Sequence, residues 1–230
     1  FLFPRPELPA SLEGNLRRVL ELLVRNRWPF RIHATYDESI SRDLDVIEEI
    51  NRDTPLNGLV WFFDHAETIS ETNMKRIKAL GGGIAIQHRM AYQGESFVHR
   101  YGKQAAAAAP PVKKMLELHL PVGLGTDGTR VASYNPWIAL YWLTTGRTLG
   151  NTQVMATENV LDRYTALKLL TAGGYELIRQ QGSKGKIKVG FAADLAILSD
   201  DYFSTSDDTI KGITSLLTIV DGKVVWGDSQ

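Results

Sequence analysis

A chain of 230 residues, 43% hydrophobic and 23% charged, can bury a sizeable core and has the balance of an ordinary globular protein. Its 26 basic and 26 acidic residues cancel, so nothing in the charge speaks for nucleic acid or an anionic membrane as partner, and no run reaches the roughly 18 apolar residues of a membrane span. The absence of cysteine excludes disulfides and thiolate metal sites but leaves the compartment open, with the cytoplasm favoured. Phe1-Leu-Phe-Pro4 has neither an initiator methionine nor the layout of a signal peptide, and an amphipathic helix follows within a few residues, so the chain reads as starting in mid-domain.

That first helix is capped by Ser11, carries Leu16, Val19, Leu20 and Leu23 at helical spacing, and ends near Arg25-Asn-Arg27. A strand over 29–33 ends on His33, and a turn through Asp37 to Ser39 leads into a helix with Ile40, Leu44, Ile47 and Ile50 on one side. Asn57-Gly58 introduces an apolar strand from 59 that runs into Asp64-His65, and Ser70 caps a helix with Met74, Ile77 and Leu80 inward. Gly81-Gly-Gly83 stops that helix and opens a third strand over 84–87, followed by a polar loop carrying His88, Arg89, Tyr92 and His99. Pro110-Pro111 open a helix with Val112, Met115 and Leu116 inward, proline being tolerated in a first turn where its missing N–H has no partner anyway.

A fourth strand over 121–125 ends in a turn carrying Asp127. Asn135-Pro136 then open a helix that is apolar nearly all round and therefore buried, its Trp137, Leu140 and Tyr141 being core. A linker over 144–157 leads to a helix with Tyr164, Leu167 and Leu170 and a shorter one ending at Gly182. Beyond it the period becomes alternating, in 185–190, 193–198, 216–220 and 223–226, and Asp221-Gly222 between the last two is a type I′ hairpin signal. The fold class is α/β: four strand–helix units imply a parallel sheet with right-handed crossovers. A closed barrel of this kind needs eight strands in roughly 250 residues, so four units amount to half of one.

In parallel α/β folds the C-terminal strand ends converge on one face, so His33, His65 and Asp127 are expected to meet there, and His, His, Asp is a metal-ligand set. Either histidine alone could be no more than a hydrogen-bonding strand cap; recurrence at successive strand ends argues for ligation. The run His33-Ala-Thr-Tyr-Asp37 resembles the fifth-strand histidine motif of the amidohydrolase superfamily, Asp64-His65-Ala-Glu67 its sixth-strand histidine, and Gly125-Thr-Asp127-Gly-Thr-Arg130 with Asn135-Pro136 its eighth-strand aspartate motif. Gly185-x-Ile-x-x-Gly190-x-x-Ala193-Asp194-Leu195, with Ile219-Val-Asp-Gly-Lys-Val-Val225, is similar to the signature with which these enzymes complete a small β-sandwich beside the barrel. The resemblance is greatest to the amidohydrolase-3-like group, in particular a branch often described as exoenzyme regulatory proteins.

The resemblance implies the C-terminal half of a (β/α)8 TIM barrel, strands 5–8, over residues 1–182, and part of the β-sandwich over 183–230. It implies a metal-dependent hydrolase of C–N bonds, amide or cyclic amide, with one or two divalent ions in the full-length enzyme, zinc being the usual metal. His33, His65 and Asp127 would be metal ligands, and Asp127 also the catalytic acid–base. His88 would contact the substrate carbonyl, or else be solvated, and Arg130 would fork onto a substrate carboxylate, or else pair with a local acid. His99 and His119 read as surface residues and Asp37 as a helix cap. The family's first-strand His-x-His pair occurs nowhere in this sequence. The chain alone is therefore expected to be inactive, to bind metal weakly, and to self-associate or pair with a missing N-terminal half. Its partner otherwise is a small-molecule substrate. The rival readings are a deaminase of the same superfamily and a non-catalytic regulatory or binding protein that keeps the fold.

Overall fold

A computed structural model of the chain describes residues 1, 7–128 and 131–227. Helix α1 (Leu12–Arg25) precedes four strand-led units: β1 (Phe30–Ala34) with α2 (Asp37–Asp53), β2 (Trp61–His65) with α3 (Glu71–Ala79), β3 (Gly83–Gln87) with α4 (Met90–Tyr101), α5 (Lys103–Ala107) and α6 (Val112–Glu117), and β4 (Val122–Gly125) with α7 (Pro136–Thr145). The strands form one sheet in the order β1-β2-β3-β4, all neighbours parallel. Sequential order with a helix after each strand is what right-handed crossovers produce.

Alternation along the strands divides the sheet into two unlike faces. Phe30, Trp61, Phe63, Ile84, Ile86, Val122 and Leu124 are buried in the main core, shared with Ile40, Leu44 and Ile47 of α2 and Met74 and Ile77 of α3. Each such large apolar side chain, fully buried, is worth about 1.5–3 kcal/mol. The opposite parity carries Arg31, His33, Phe62, Asp64, Ala85, Gln87, Gly123 and Gly125, and these line a cleft.

The lower part of that face is covered by the segment after α7. Helix α8 (Arg163–Lys168) passes through a π-helical turn (Leu169–Gly173) into α9 (Gly174–Leu177). The helical period expected there is present but interrupted, and Tyr164 points to solvent. Contact is close because the strand offers glycine: a Cβ on Gly123 would lie 2.7 Å from Leu177 Cδ1 and 3.1 Å from Gly174 Cα.

Three further strands, β5 (Leu195–Leu198), β6 (Ser215–Val220) and β7 (Lys223–Trp226), make an antiparallel sheet in sequence order. Asp221 and Gly222 both have positive φ, as a type I′ turn requires, and close the β6–β7 hairpin next to the Val220–Lys223 pair. Between β5 and β6, helix α10 (Asp207–Ile210) and the buried Tyr202, Ile210 and Ile213 dock beside α7. Arg163 fastens this segment, donating to the Tyr202 carbonyl at 2.6 Å and to Asp207 Oδ1 at 2.8 Å.

Four expectations from the sequence are corrected. Residues 185–190 form bends and a turn, not a strand, since Ile187 and Val189 are almost fully exposed and alternation there has no partner to face. The polar loop after β3 is instead α4, whose Met90, Ala91, Gly94 and Phe97 bury one side at helical spacing while glycine and charge dilute the signal. Val19, placed on the inner stripe of α1, is exposed, and Leu20 and Val24 are the buried pair. Asp37 does not cap its own helix: it is the first residue of α2, and its Oδ1 accepts from the Ser70 amide at 2.7 Å and from Asn73 Nδ2 at 2.7 Å, tying the start of α3 to the start of α2. No helix among the described residues is long and apolar enough to cross a membrane.

Candidate metal centre

The cleft has a volume of about 630 Å³ and lies along the C-terminal strand ends, where His33, His65 and Asp127 all reach it. The three residues expected to converge therefore share one rim. His33 is delivered by parity: on β1 it follows Arg31 on the cleft face, and the parallel register sets it opposite Asp64 of β2. His65 is not delivered by parity, because it has that of Trp61 and Phe63, which point into the core. Its φ of +83°, followed by +56° at Ala66, breaks the extended backbone there, and the imidazole lines the cleft with its ring centroid 4.4 Å from that of His33. Non-glycine residues with positive φ cost about 1–3 kcal/mol each and persist where the surrounding structure holds them. Asp127 has φ +51° as well. The loop beyond it folds back tightly at Gly128, where a Cβ would come within 2.6 Å of Tyr134 Cα.

His65 is the hub of the charged groups. Its Nε2 lies 3.9 Å from Asp127 Oδ2 and its Nδ1 4.0 Å from Glu67 Oε1. Burial pushes its pKa down to about 3, and the nearby Arg89, His33 and Arg31 add to the shift, so the imidazole is neutral and keeps a lone pair. Arg89 Nη2 stands 3.8 Å from Asp127 Oδ2, and Nη1 donates to Thr35 Oγ1 at 3.5 Å. Glu67 is 1% exposed with neither oxygen hydrogen-bonded, and burial raises it to about 7. At the base of the cleft Arg31 Nε is 3.3 Å from Asp64 Oδ2, and burial raises the Asp64 pKa in spite of that cation.

Two imidazoles and a carboxylate are the donor types that bind zinc, and a neutral, buried His65 is in the protonation state a ligand needs. Among the described residues, however, no three His, Asp or Glu side chains stand close enough together to hold one ion. The residues present thus fit part of a coordination shell.

The other expected site residues are placed differently. His88 follows β3 immediately and is wholly buried, with neither ring nitrogen hydrogen-bonded, its ring 5.7 Å from that of Tyr92. Burial holds its pKa down at about 4. Arg130 lies outside the described residues. His99 and His119 are exposed, as read from the sequence. Residues given no role by sequence reasoning are Arg31, Asp64, Glu67, Gln87 and Arg89. Arg31 shared the parity of His33, Arg89 followed His88, and Glu67 stood two residues beyond His65 in the run that carried the resemblance. Those positions were signals that the strand-end rule passed over.

Comparison with known proteins decides the family. The family model described as "Amidohydrolase family" matches residues 4–226. This chain belongs to the amidohydrolase family. A 5-methylthioadenosine/S-adenosylhomocysteine deaminase of Halobacterium salinarum is 31% identical over 152 residues, which are 61% of this chain and 34% of that protein. Among solved structures, a metal-dependent hydrolase of Pyrococcus horikoshii superposes with TM-score 0.70 at 21% identity over 85% of this chain and 39% of its own. An adenosine deaminase of Xanthomonas campestris with bound zinc does so with TM-score 0.63 at 16% identity over 94% of this chain and 49% of its own. The chain thus spans about half or less of the length of these amidohydrolase-type proteins, and at such identities the structures speak for the fold alone.

Proposed function

We propose that this chain supplies one half of the active site of a metal-dependent hydrolase acting on C–N bonds. The observation that carries this is the convergence of His33, His65 and Asp127 on one cleft rim, with the two rings 4.4 Å apart and His65 Nε2 3.9 Å from Asp127 Oδ2. On this reading residues 1–182 are strands 5–8 of a (β/α)8 barrel with trailing helices, and 183–230 belong to a β-sandwich. Support comes from the sheet's sequential parallel order and from the cleft at its C-terminal edge, where barrels of this kind hold their sites.

His33 and His65 would hold a divalent ion, zinc by preference, and Asp127 would be a further ligand to the metal centre. A bound ion supplies an acidified water and polarises the carbonyl under attack. The chain's own residues do the rest. Asp127, part-exposed at the rim, accepts the proton lost in that attack and passes it to the leaving nitrogen. Arg89, 3.8 Å away, keeps the Asp127 carboxylate oriented. Arg130 is the substrate contact of this proposal, for a carboxylate; His88, wholly buried and not among the residues that line the cleft, is left out of it. Because the set is an incomplete shell, the chain by itself should bind zinc weakly and turn over nothing. The outer sides of β1 and β4 have no strand neighbour among the described residues, which supports self-association or pairing with a complementary polypeptide.

A deaminase is the second reading, favoured by the four curated 5-methylthioadenosine/S-adenosylhomocysteine deaminases that match at 28–31% identity. The chemistry differs in the carbon attacked and in releasing ammonia. Competition for zinc against a chromophoric chelator, for the chain and its His65→Ala variant, tests the metal site; equal affinity in both refutes it. Light scattering tests association, and a monodisperse monomer turning over amides with stoichiometric zinc would refute the half-site reading. Release of ammonia from aminopurines, as against amine plus carboxylate from amides, by the protein containing this chain separates the two chemistries.

A further inference from the structure

The neutral imidazole of His65 stands between two carboxylates. It has one N–H and one lone pair to distribute, and only the nitrogen with the lone pair can bind a metal. Glu67 faces Nδ1 at 4.0 Å and Asp127 faces Nε2 at 3.9 Å, so distance does not choose between them. Burial does. Glu67 is 1% exposed and neither of its oxygens has a hydrogen-bond donor, whereas the Asp127 side chain is 39% exposed, within reach of water, and has Arg89 Nη2 at 3.8 Å. An N–H placed on Nδ1 satisfies an acceptor that otherwise has nothing; placed on Nε2, it serves Asp127, which water already serves, and leaves Nδ1, itself buried and unpartnered, with no donor. Gln87 Oε1, buried and without a donor, is the other acceptor that acts on His65, and as a neutral amide oxygen it is a weaker acceptor than a carboxylate.

We propose that Glu67 is a positioning residue for His65: its carboxylate accepts a hydrogen bond from Nδ1–H, fixing the tautomer in which the Nε2 lone pair faces Asp127 and the cleft. This rests on the metal-centre reading for its purpose, though not for its chemistry. The separation of 4.0 Å exceeds a hydrogen bond by roughly 1 Å, which the proposed contact has to close. Arg89 is the rival partner, being the cation that acts most strongly on Glu67, ahead of the N-terminal ammonium. Its Nη1 and Nη2 are directed to Thr35 and Asp127, however, and its Nε is unpartnered. Carboxylates in this position behind a ligating histidine orient the ring and raise its basicity.

The test is the tautomer itself, read in the metal-free chain of 230 residues by ¹⁵N histidine spectra at mildly alkaline pH, with His65→Asn assigning the signal. The wild type should show Nδ1-protonated His65. Glu67→Met, near-isosteric and without polar atoms, should shift it to the Nε2-protonated form or to a mixture, with Asp127 and Gln87 Oε1 as the remaining acceptors. Arg89→Lys should leave it unchanged, which a purely structural Glu67–Arg89 pair would not predict. Zinc affinity should fall about 10- to 100-fold in Glu67→Met and recover most of the loss in Glu67→Gln, whose amide oxygen can still accept. Nε2-protonated His65 in the wild type, or an unchanged tautomer in folded Glu67→Met, overturns the proposal. Equal zinc affinity in the wild type and His65→Ala, with the tautomer shift still seen in Glu67→Met, sinks the metal reading and leaves the positioning role standing.

Discussion

Asp37 is the residue whose role the structure redefines most sharply, and removing it gives a quantitative test. In Asp37→Ala two donors lose their acceptor: the Ser70 amide at 2.7 Å and Asn73 Nδ2 at 2.7 Å. Asn73 is 3% exposed, so its amide keeps only the Asp37 carbonyl at 3.2 Å and otherwise has little access to water. A buried polar group left short of a partner costs about 1–3 kcal/mol. The Ser70 amide lies at the start of α3, where the carboxylate also opposes the helix dipole, adding roughly 0.3–1 kcal/mol. The loss should be about 1.3–4 kcal/mol, which in a chain of this size lowers Tm by roughly 3–15 °C. Asp37→Asn keeps an acceptor oxygen and should lose less than half as much. Thermal melts followed by circular dichroism read both, with zinc affinity measured in parallel and expected to stay within about twofold, since Asp37 does not line the cleft. A shift below about 1 °C, or a large loss of zinc affinity at unchanged Tm, would refute the account.

Three more outcomes follow from the same reasoning. Burial depresses the pKa of His88 to about 4 and that of His65 to about 3, so between their ordinary value of 6.5 and those values the unfolded chain binds more protons, and stability should fall as pH drops from about 6.5; each contributes up to about 1.4 kcal/mol per pH unit. Urea unfolding across that range should show a shallower slope for His88→Phe, and an unchanged slope would contradict the buried, neutral imidazole. Gly123→Ala forces a Cβ against Leu177 and Gly174 and should destabilise by about 1–3 kcal/mol, with Leu177→Ala recovering part of that in the double variant; additive losses would show that α9 does not pack there. Asn135→Ala removes the side chain that accepts from the Trp137 amide at 2.9 Å and donates to the Lys211 carbonyl at 3.1 Å, and a loss of about 0.5–2 kcal/mol should appear in chemical denaturation.

Much of this protein can be read from local rules because those rules act over a few residues. Short apolar runs such as 59–63 after Asn57-Gly58, helical stripes such as Ile40, Leu44, Ile47 and Ile50, and caps at Ser70 and Asn135 specify four strand–helix units. A parallel sheet then brings strand ends to one edge, so the neighbourhood of His33, His65 and Asp127 follows from order alone. What tertiary structure decided is everything set by burial and by backbone departures from regularity. Sequence parity points His65 into the core, and only the positive φ at His65 and Ala66 brings it to the cleft. Glu67 and Asp127 are both carboxylates two positions from a marked residue or marked themselves; that one is sealed from water and the other open depends on what packs over them. Asp37 reads as a cap in either account, but the helix it holds is the next one along, because the partner of a side chain is chosen by the assembled sheet and not by its neighbours in the chain.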